Sequence, residues 1–345
     1  MRHLKFYFPL LLLVLGLWNK SHAATTTPTL VSPSNNTTQW AGLTLDWNAV
    51  SSVHGYQVQW DTLPDFSSAV QRKVTKLYIN TSSSNTDTEQ LLTNLYFGKI
   101  YYWRVRAYVT ADTSAWSQMR LFSTRNYVTT TSPASNTTQY SAVYLDWDAH
   151  HYVSAYDWEL DTLPNFSSNA KRQGSTNYVG TSSTNTDTQV WTNNLFFGKT
   201  YYWRVRARNT VDTTAWVETR FFKVTNALNL TSPSNGTTQY SGLYLDWYSS
   251  YYVTAYQWQL DTSASFNSPL LRTGENLYTN TFSDNPDTYT LQKNLLFGQK
   301  YYWRVRARNT VDTTEWSSVW YFTTTNTLSL TSPSNGTTQY SGLYL

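Results

Sequence analysis

The sequence contains no cysteine, which excludes disulfide bonds and thiolate metal sites. Charged residues make up only 13% of the 345 residues, and no basic run of the kind that binds nucleic acid is present. No stretch keeps a helical period of apolar residues. Ser, Thr, Asn and Tyr are abundant instead, and this composition favours β-structure with a polar surface.

The N-terminus holds an apolar stretch with the features of a secretory signal peptide. In residues 1–23, the basic residues Arg2 and Lys5 precede the apolar run Phe6–Trp18, and small residues follow it. The run is too short for a comfortable membrane span, which disfavours the alternative of a membrane anchor. We expect cleavage after Ala23, a mature chain without a membrane span, and a secreted or cell-surface protein. Cleavage removes three basic residues and lowers the net charge from +4 to +1 (22 basic against 21 acidic).

A repeat of 100 residues organises the rest of the chain. The string Tyr-Tyr-Trp-Arg-Val-Arg-Ala at Tyr101–Ala107 returns at Tyr201–Ala207 and Tyr301–Ala307. This period is too long for a solenoid repeat and is the size of a sandwich domain. We therefore predict domains at 26–125, 126–225 and 226–325, and the start of a fourth at 326–345. The last piece is too short to bury a core, so we expect the natural polypeptide to continue.

Alternating apolar and polar residues predict short strands within each repeat. The inward positions include Leu43, Leu45 and Trp47 in one strand and Tyr56 with Val58 in the next. A last strand is predicted to open at position 116 and to end near position 122. Seven or so such strands, separated by turns, are typical of an immunoglobulin-like sandwich.

The repeated string also carries a family resemblance. Leu95 lies six residues before Tyr101 in a Tyr-x-Trp-x-Val-x-Ala strand, which, with Trp47, resembles the fibronectin type III signature. Three features together resemble the variety found in secreted and surface proteins of bacteria, of the Bacteroidetes type. They are the Asp61-Thr62…Phe66 segment, the repeated string and the late tryptophan. Over residues 28–325 the resemblance implies an all-β chain of three tandem sandwiches. The connections between repeats are short and have no Gly/Ser-rich run, which predicts end-to-end stacking in a rod. The resemblance also implies that three tyrosines form tyrosine corners: Tyr101, Tyr201 and Tyr301.

Two further sets of residues are predicted to be structural. The inward tryptophans are expected in the core: Trp47, Trp147, Trp247, Trp103, Trp203 and Trp303. The outward arginines are expected to face polar residues of the neighbouring strand and to stack on the late tryptophans Trp116, Trp216 and Trp316. The first arginine of each string belongs to this row: Arg104, Arg204 and Arg304.

Aromatic residues in loops and at outward positions are the candidate binding residues. Planar rings next to Asn, Gln and Asp can stack on sugar rings, and the candidates are Tyr152, Tyr251, Tyr252, Tyr102, Tyr202 and Tyr302. Two structural alternatives stay open. Strand aromatics pair across strands for stability, and loop aromatics at domain ends pack against the next domain.

Catalytic and metal-binding constellations are not visible in the sequence. The three histidines of the mature chain, His54, His150 and His151, share one loop position and lack partners for a catalytic set. We expect the histidine pair to be an exposed loop end and not a metal site. Asp61 begins a turn whose second carboxylate is missing in later repeats, so we expect turn capping and not calcium binding. No cofactor is predicted.

The sequence thus predicts a non-catalytic extracellular structural or adhesion array that spaces or presents surface loops or a C-terminal domain. The alternative is a carbohydrate-binding accessory region of a secreted polysaccharide-acting enzyme, which depends on the exposed aromatics. The expected partner is a protein or glycan surface ligand.

Overall fold

The computed structural model describes residues 26–77, 88–110, 112–150, 152–178, 188–278, 288–327 and 335–338. These residues are all-β, which confirms the predicted fold class. The predicted signal peptide and most of the predicted fourth repeat lie outside the described residues. Within the ranges given above, no helical segment has the length and apolar character that a membrane crossing requires. The chain divides into two compact units, Met1–Arg125 and Asn126–Leu345.

The first unit is a sandwich of two sheets. Its described strands are β1 (Leu30–Ser32), β2 (Thr37–Gln39), β3 (Leu43–Trp47), β4 (Gly55–Asp61), β5 (Arg72–Leu77), β6 (Glu89–Leu92), β7 (Ile100–Val109), β8 (Asp112–Thr113) and β9 (Arg120–Thr124). The smaller sheet has the order β1-β3-β6, and the larger sheet has the order β2-β9-β7-β4-β5. Strand β2 is parallel to β9, and β8 pairs with β7.

The second unit contains the same arrangement twice. The strands of the second sandwich are β10 (Thr130–Ser132), β11 (Thr137–Gln139), β12 (Val143–Trp147), β13 (Ala155–Asp161), β14 (Arg172–Asn177), β15 (Gln189–Thr192), β16 (Thr200–Arg208) and β17 (Arg220–Val224). Those of the third are β18 (Leu230–Ser232), β19 (Thr237–Gln239), β20 (Leu243–Trp247), β21 (Ala255–Asp261), β22 (Arg272–Leu277), β23 (Tyr289–Gln292), β24 (Lys300–Arg308) and β25 (Trp320–Thr324). The larger sheets have the orders β11-β17-β16-β13-β14 and β19-β25-β24-β21-β22.

Side-chain alternation determines which face of each strand enters the core. In β7, the side chains of Tyr101, Trp103 and Val105 are buried, while the residues between them lie on the outer face. Trp47 on the smaller sheet contacts Tyr56 on the larger sheet, with ring centroids 5.4 Å apart. The two sheets therefore enclose one aromatic core. The tryptophans predicted to be inward are all buried: Trp47, Trp147, Trp247, Trp103, Trp203 and Trp303.

Buried tyrosine hydroxyls fix the loops that lead into two strands of each sandwich. Tyr101, Tyr201 and Tyr301 each accept a hydrogen bond from the backbone N–H five residues earlier, at 2.9–3.0 Å. Burial raises the pKa of Tyr201. Tyr56 accepts a bond from the backbone N–H of Val50 at 2.7 Å, and the later sandwiches repeat this contact. Each bond satisfies a polar group that would be costly to bury alone.

The last strand begins later than the sequence predicts, because β9 starts at Arg120. The segment before it lies beside β7 and is held partly by side chains. Ser117 donates its backbone N–H to Val105 O at 2.8 Å, and its hydroxyl accepts the Val105 N–H at 3.1 Å. Ser114 bonds Ala107 in the same way. Because hydroxyls replace backbone carbonyls, the segment is not a regular strand.

Candidate functional site

The outward arginines of the second sandwich are paired with carboxylates on the neighbouring strand. Arg204 lies opposite Glu159 in the β13–β16 ladder, with Nη2 2.6 Å from Glu159 Oε2. Arg206 Nε lies 3.2 Å from Asp157 Oδ2. Lys171 contacts the other oxygen of Glu159 at 2.7 Å. Burial opposes ionisation of Glu159, but the hydrogen bonds from Lys171 and Arg204 hold its pKa below the usual range.

The first and third sandwiches keep the same row with neutral partners. Arg104 donates to Gln59 Oε1 at 2.8 Å, and Arg304 donates to Gln259 Oε1 at 2.8 Å. Burial, with a smaller effect of the neighbouring Arg106, lowers the pKa of Arg104. Because a guanidinium remains protonated at neutral pH, each row is a line of half-buried cations.

Aromatic rings cover the faces of these guanidinium groups. In the second sandwich, Arg204 Cζ lies 4.1 Å from the ring centroid of Phe166 and 4.6 Å from that of Trp216. Arg206 Cζ lies 4.5 Å from the same Trp216 ring. The other sandwiches repeat these contacts at 4.0–4.6 Å. Both the hydrogen-bonding fork and the faces of Arg204 are therefore occupied by protein groups.

A buried aspartate holds the turn that carries the phenylalanine ring. Asp161 is fully buried, and its carboxylate accepts hydrogen bonds from the backbone N–H of Thr162 at 2.6 Å and of Leu163 at 3.3 Å. Ser168 donates its backbone N–H at 2.9 Å and also its hydroxyl. Burial opposes ionisation, but these donors lower the pKa of Asp161. The other sandwiches have the same turn, in which protein donors fill the carboxylate.

The outward strand tyrosines Tyr102, Tyr202 and Tyr302 are half-buried on the larger sheets. Tyr202 faces Phe221 on the next strand, with ring centroids 6.0 Å apart. Tyr302 faces Tyr321 in the same manner at 6.0 Å. These two rings thus take part in cross-strand aromatic pairs of the kind that stabilises a sheet.

The loop tyrosines of the third sandwich contact the second sandwich within the second unit. The Tyr251 ring lies edge-on to Tyr140 at 5.0 Å, and the Tyr252 ring lies edge-on to Trp191 at 4.8 Å. Ser141 Oγ donates to the backbone oxygen of Tyr252 at 2.6 Å. Tyr252 has a φ of 61°, which is uncommon for a bulky side chain, and the equivalent Ser52 and Tyr152 share this loop conformation. About half of each tyrosine stays exposed (48% and 49%).

A second loop of the third sandwich adds two polar contacts. Asn309 Nδ2 donates to Leu195 O at 2.9 Å, and Asp312 Oδ2 accepts the backbone N–H of Phe197 at 2.8 Å. Asn309 Oδ1 accepts two backbone N–H groups of its own loop, which fixes the loop shape. Sequence reasoning missed these residues. The available signal was the Asn-x-x-Asp spacing at 209–212 and 309–312, where the first repeat has Val109.

The remaining loop candidates do not form a common site with these residues. Tyr152 is exposed and has a φ of 61°. His150 is buried, with its backbone N–H donating to Tyr156 Oη at 2.6 Å, so the expectation of an exposed loop end is wrong for this residue. His151 lies outside the described residues. Among the residues that the structure describes, no three His, Asp or Glu side chains are grouped to hold a metal ion.

No known family profile matches the chain, and no curated protein matches it. Among solved structures, the chain is similar to the FN1–FN3 domains of chicken CNTN1, with 14% identity over 88% of this chain and 100% of that one and a TM-score of 0.24. It is also similar to a two-domain fibronectin type III segment of chicken tenascin, with 13% identity over 57% of this chain and 98% of that one and a TM-score of 0.26. Because both TM-scores are low, the fold description depends on the strand pairing of this chain.

Proposed function

We propose that the chain is a non-catalytic extracellular array of fibronectin type III-like sandwiches that spaces or presents surface loops or a further domain. One observation carries the proposal. Tyr251 and Tyr252, which the sequence singles out as ligand candidates, contact Tyr140 and Trp191 of the preceding sandwich. The domain limits 26–125, 126–225 and 226–325, and secretion by a signal peptide at 1–23, belong to the same proposal.

The contact between the second and third sandwiches combines two kinds of interaction. The aromatic pairs remove ring surface from water, and each pair contributes about 0.5–1.5 kcal/mol beyond its buried area. The hydrogen bonds of Ser141, Asn309 and Asp312 have defined directions and therefore set how the loops meet the preceding sandwich. Such a contact limits the relative motion of the second and third sandwiches, which suits a spacer of fixed length.

The double variant Tyr251→Ala/Tyr252→Ala tests this role. We expect faster amide hydrogen exchange in the peptide around Tyr140 and Ser141, because both ring contacts are lost. Tyr248→Ala is the matched control, since Tyr248 is an exposed tyrosine of the same sandwich. Unchanged exchange in the double variant would contradict the role. Hydrolysis of a common polysaccharide by the purified chain would contradict the non-catalytic part of the proposal.

Carbohydrate binding is the second candidate, and the exposed halves of the loop tyrosines favour it. Tyr152, Tyr251 and Tyr252 all keep ring surface accessible to a sugar. A glycan array tests this function directly. Binding that disappears in Tyr152→Ala, without any change in hydrogen exchange of the core strands, would support it. The absence of binding to any glycan, or binding unchanged in the tyrosine variants, would remove the support.

A further inference from the structure

The third sandwich exposes a surface that is covered on the second sandwich. Phe197 is 5% exposed beneath the loops of the third sandwich, whereas its counterpart Phe297 is 69% exposed. Tyr140 is 44% exposed, and its counterpart Tyr240 is 79% exposed. We define the end socket as Tyr240, Ser241, Leu291, Leu295 and Phe297, the counterparts of the residues of the second sandwich that contact the third. In this set a leucine, Leu291, stands where the second sandwich has Trp191.

The polar groups of the covered surface recur in the end socket. On the second sandwich, the Ser141 hydroxyl, the Leu195 carbonyl and the Phe197 N–H all bond to loops of the third sandwich. In the end socket, the Phe297 N–H has no acceptor among the residues that the structure describes. A partner that repeats the contacts of the second sandwich would supply a carboxylate for this N–H and an amide donor for the Leu295 carbonyl.

The connection after the third sandwich repeats the one after the second. A Cβ placed on Gly198 would lie 3.1 Å from Asn226, and a Cβ placed on Gly298 would lie 3.4 Å from Asn326. Asn226 Oδ1 also accepts the backbone N–H of Glu315 in the third sandwich at 3.0 Å. Asn326 thus stands where Asn226 stands. Residues 326–345 also repeat the sequence of 226–245 with two changes.

We infer that the end socket binds the loop end of a further sandwich of this repeat type. That sandwich would pack loop aromatics against Tyr240 and Leu291, donate a loop Asn amide to Leu295 O, and accept the Phe297 N–H with a loop Asp. The inference rests on the proposed function in one respect, namely that consecutive sandwiches dock through these loops.

An extended chain tests the inference. Adding a second copy of residues 246–325 after Leu345 completes a fourth repeat that carries the tyrosine pair and the Asn-x-x-Asp loop. We expect the Phe297 amide to exchange at least about tenfold more slowly than in the 345-residue chain, which is the effect of one charge-assisted hydrogen bond. Asp312→Ala in the extended chain is the matched control. It should release the Phe197 amide and leave the Phe297 amide protected.

The other outcomes of this experiment separate a failure of the inference from a failure of the proposed function. Fast exchange of Phe297 beside a protected Phe197 would overturn this inference alone, whereas fast exchange of both amides in the native chain would overturn the docking contact of the proposed function. Protection of Phe297 in the 345-residue chain that grows with protein concentration would identify a second copy of the chain as the occupant. If the added repeat fails to fold, an extension with residues 146–225 repeats the test, because that copy has its own Asn209 and Asp212.

Discussion

Removing Arg204 tests whether the arginine row stabilises the sandwich. Arg204→Ala deletes a guanidinium that lies between the Phe166 and Trp216 rings and is bonded to Glu159. Each cation–π contact at such a half-buried site contributes about 0.5–2 kcal/mol. A hydrogen bond to a charged group contributes about 1.5–3 kcal/mol. Because neighbouring contributions are not additive, we expect a loss of about 3 kcal/mol in the unfolding free energy of the second sandwich.

Arg304→Ala provides a matched comparison in the third sandwich. Arg304 has the same ring contacts, at 4.1 and 4.6 Å, but its hydrogen-bond partner is the neutral Gln259. Its removal should cost about 1 kcal/mol less, because no carboxylate loses its pairing. This difference should shrink in acid. The folded pKa of Glu159 lies below 4.5, so its contribution is complete above pH 4.5 and is lost as the pH falls through the lower folded value.

Hydrogen exchange in increasing urea measures each sandwich separately, with peptides from β13 and β16 for one variant and from β21 and β24 for the other. Unchanged protection in both variants, together with loss of a ligand interaction, would refute the structural interpretation of the row. Equal losses in the two variants at neutral pH would refute only the contribution of the Glu159 charge.

Three other predictions concern the third sandwich. Gly274→Val should lower the unfolding free energy in urea by about 1–3 kcal/mol, because a Cβ there overlaps the Trp258 ring. Adding Trp258→Val should restore stability, since the first sandwich has the pair Val58 and Val74 at this position. Restoration that fails would contradict the packing argument. Asp261→Ala should destabilise by about 3 kcal/mol, because it leaves buried donors unsatisfied; a variant as stable as the parent would show that the turn does not need its carboxylate. NMR titration of Glu275 should give a pKa of about 2, because Arg308 is bonded to it, and Arg308→Ala should return the pKa towards 4.5. The stabilising contribution of the Glu275–Arg308 pair is therefore present above pH 4.5 and is lost as the pH falls towards 2. A pKa near 4.5 for Glu275 in the folded protein would contradict the pairing.

The core strands could be predicted from the sequence because period-two burial is visible in the residues themselves. Tyr101, Trp103 and Val105 alternate with polar neighbours, and the structure buries the first set. The edge strand β5 could not be predicted, since the sequence Arg-Lys-Val-Thr-Lys-Leu is polar on both faces and the strand is mostly exposed. The late start of the last strand could not be predicted either. Serine hydroxyls replace backbone partners around Trp116, and single-sequence patterns do not show that exchange.

The side chains of the arginine row could be predicted from the sequence, but the contacts between the second and third sandwiches could not. Alternation places Arg204 opposite Glu159, and a late tryptophan at a fixed distance from the string can reach the same face. The contact of Tyr251 with Tyr140 depends on how one sandwich meets the next, which no strand pattern specifies. Asn309 escaped notice because Asn in a loop usually indicates only a turn.

The most direct test of the central claim compares the amide exchange of Phe197 and Phe297 in the unmodified chain. The two residues occupy equivalent positions in consecutive repeats, but only Phe197 donates its N–H to Asp312. If consecutive sandwiches dock through these loops, the Phe197 amide should exchange at least about tenfold more slowly than the Phe297 amide, and Asp312→Ala should abolish the difference. Equal and fast exchange of both amides in the unmodified chain would contradict the claim.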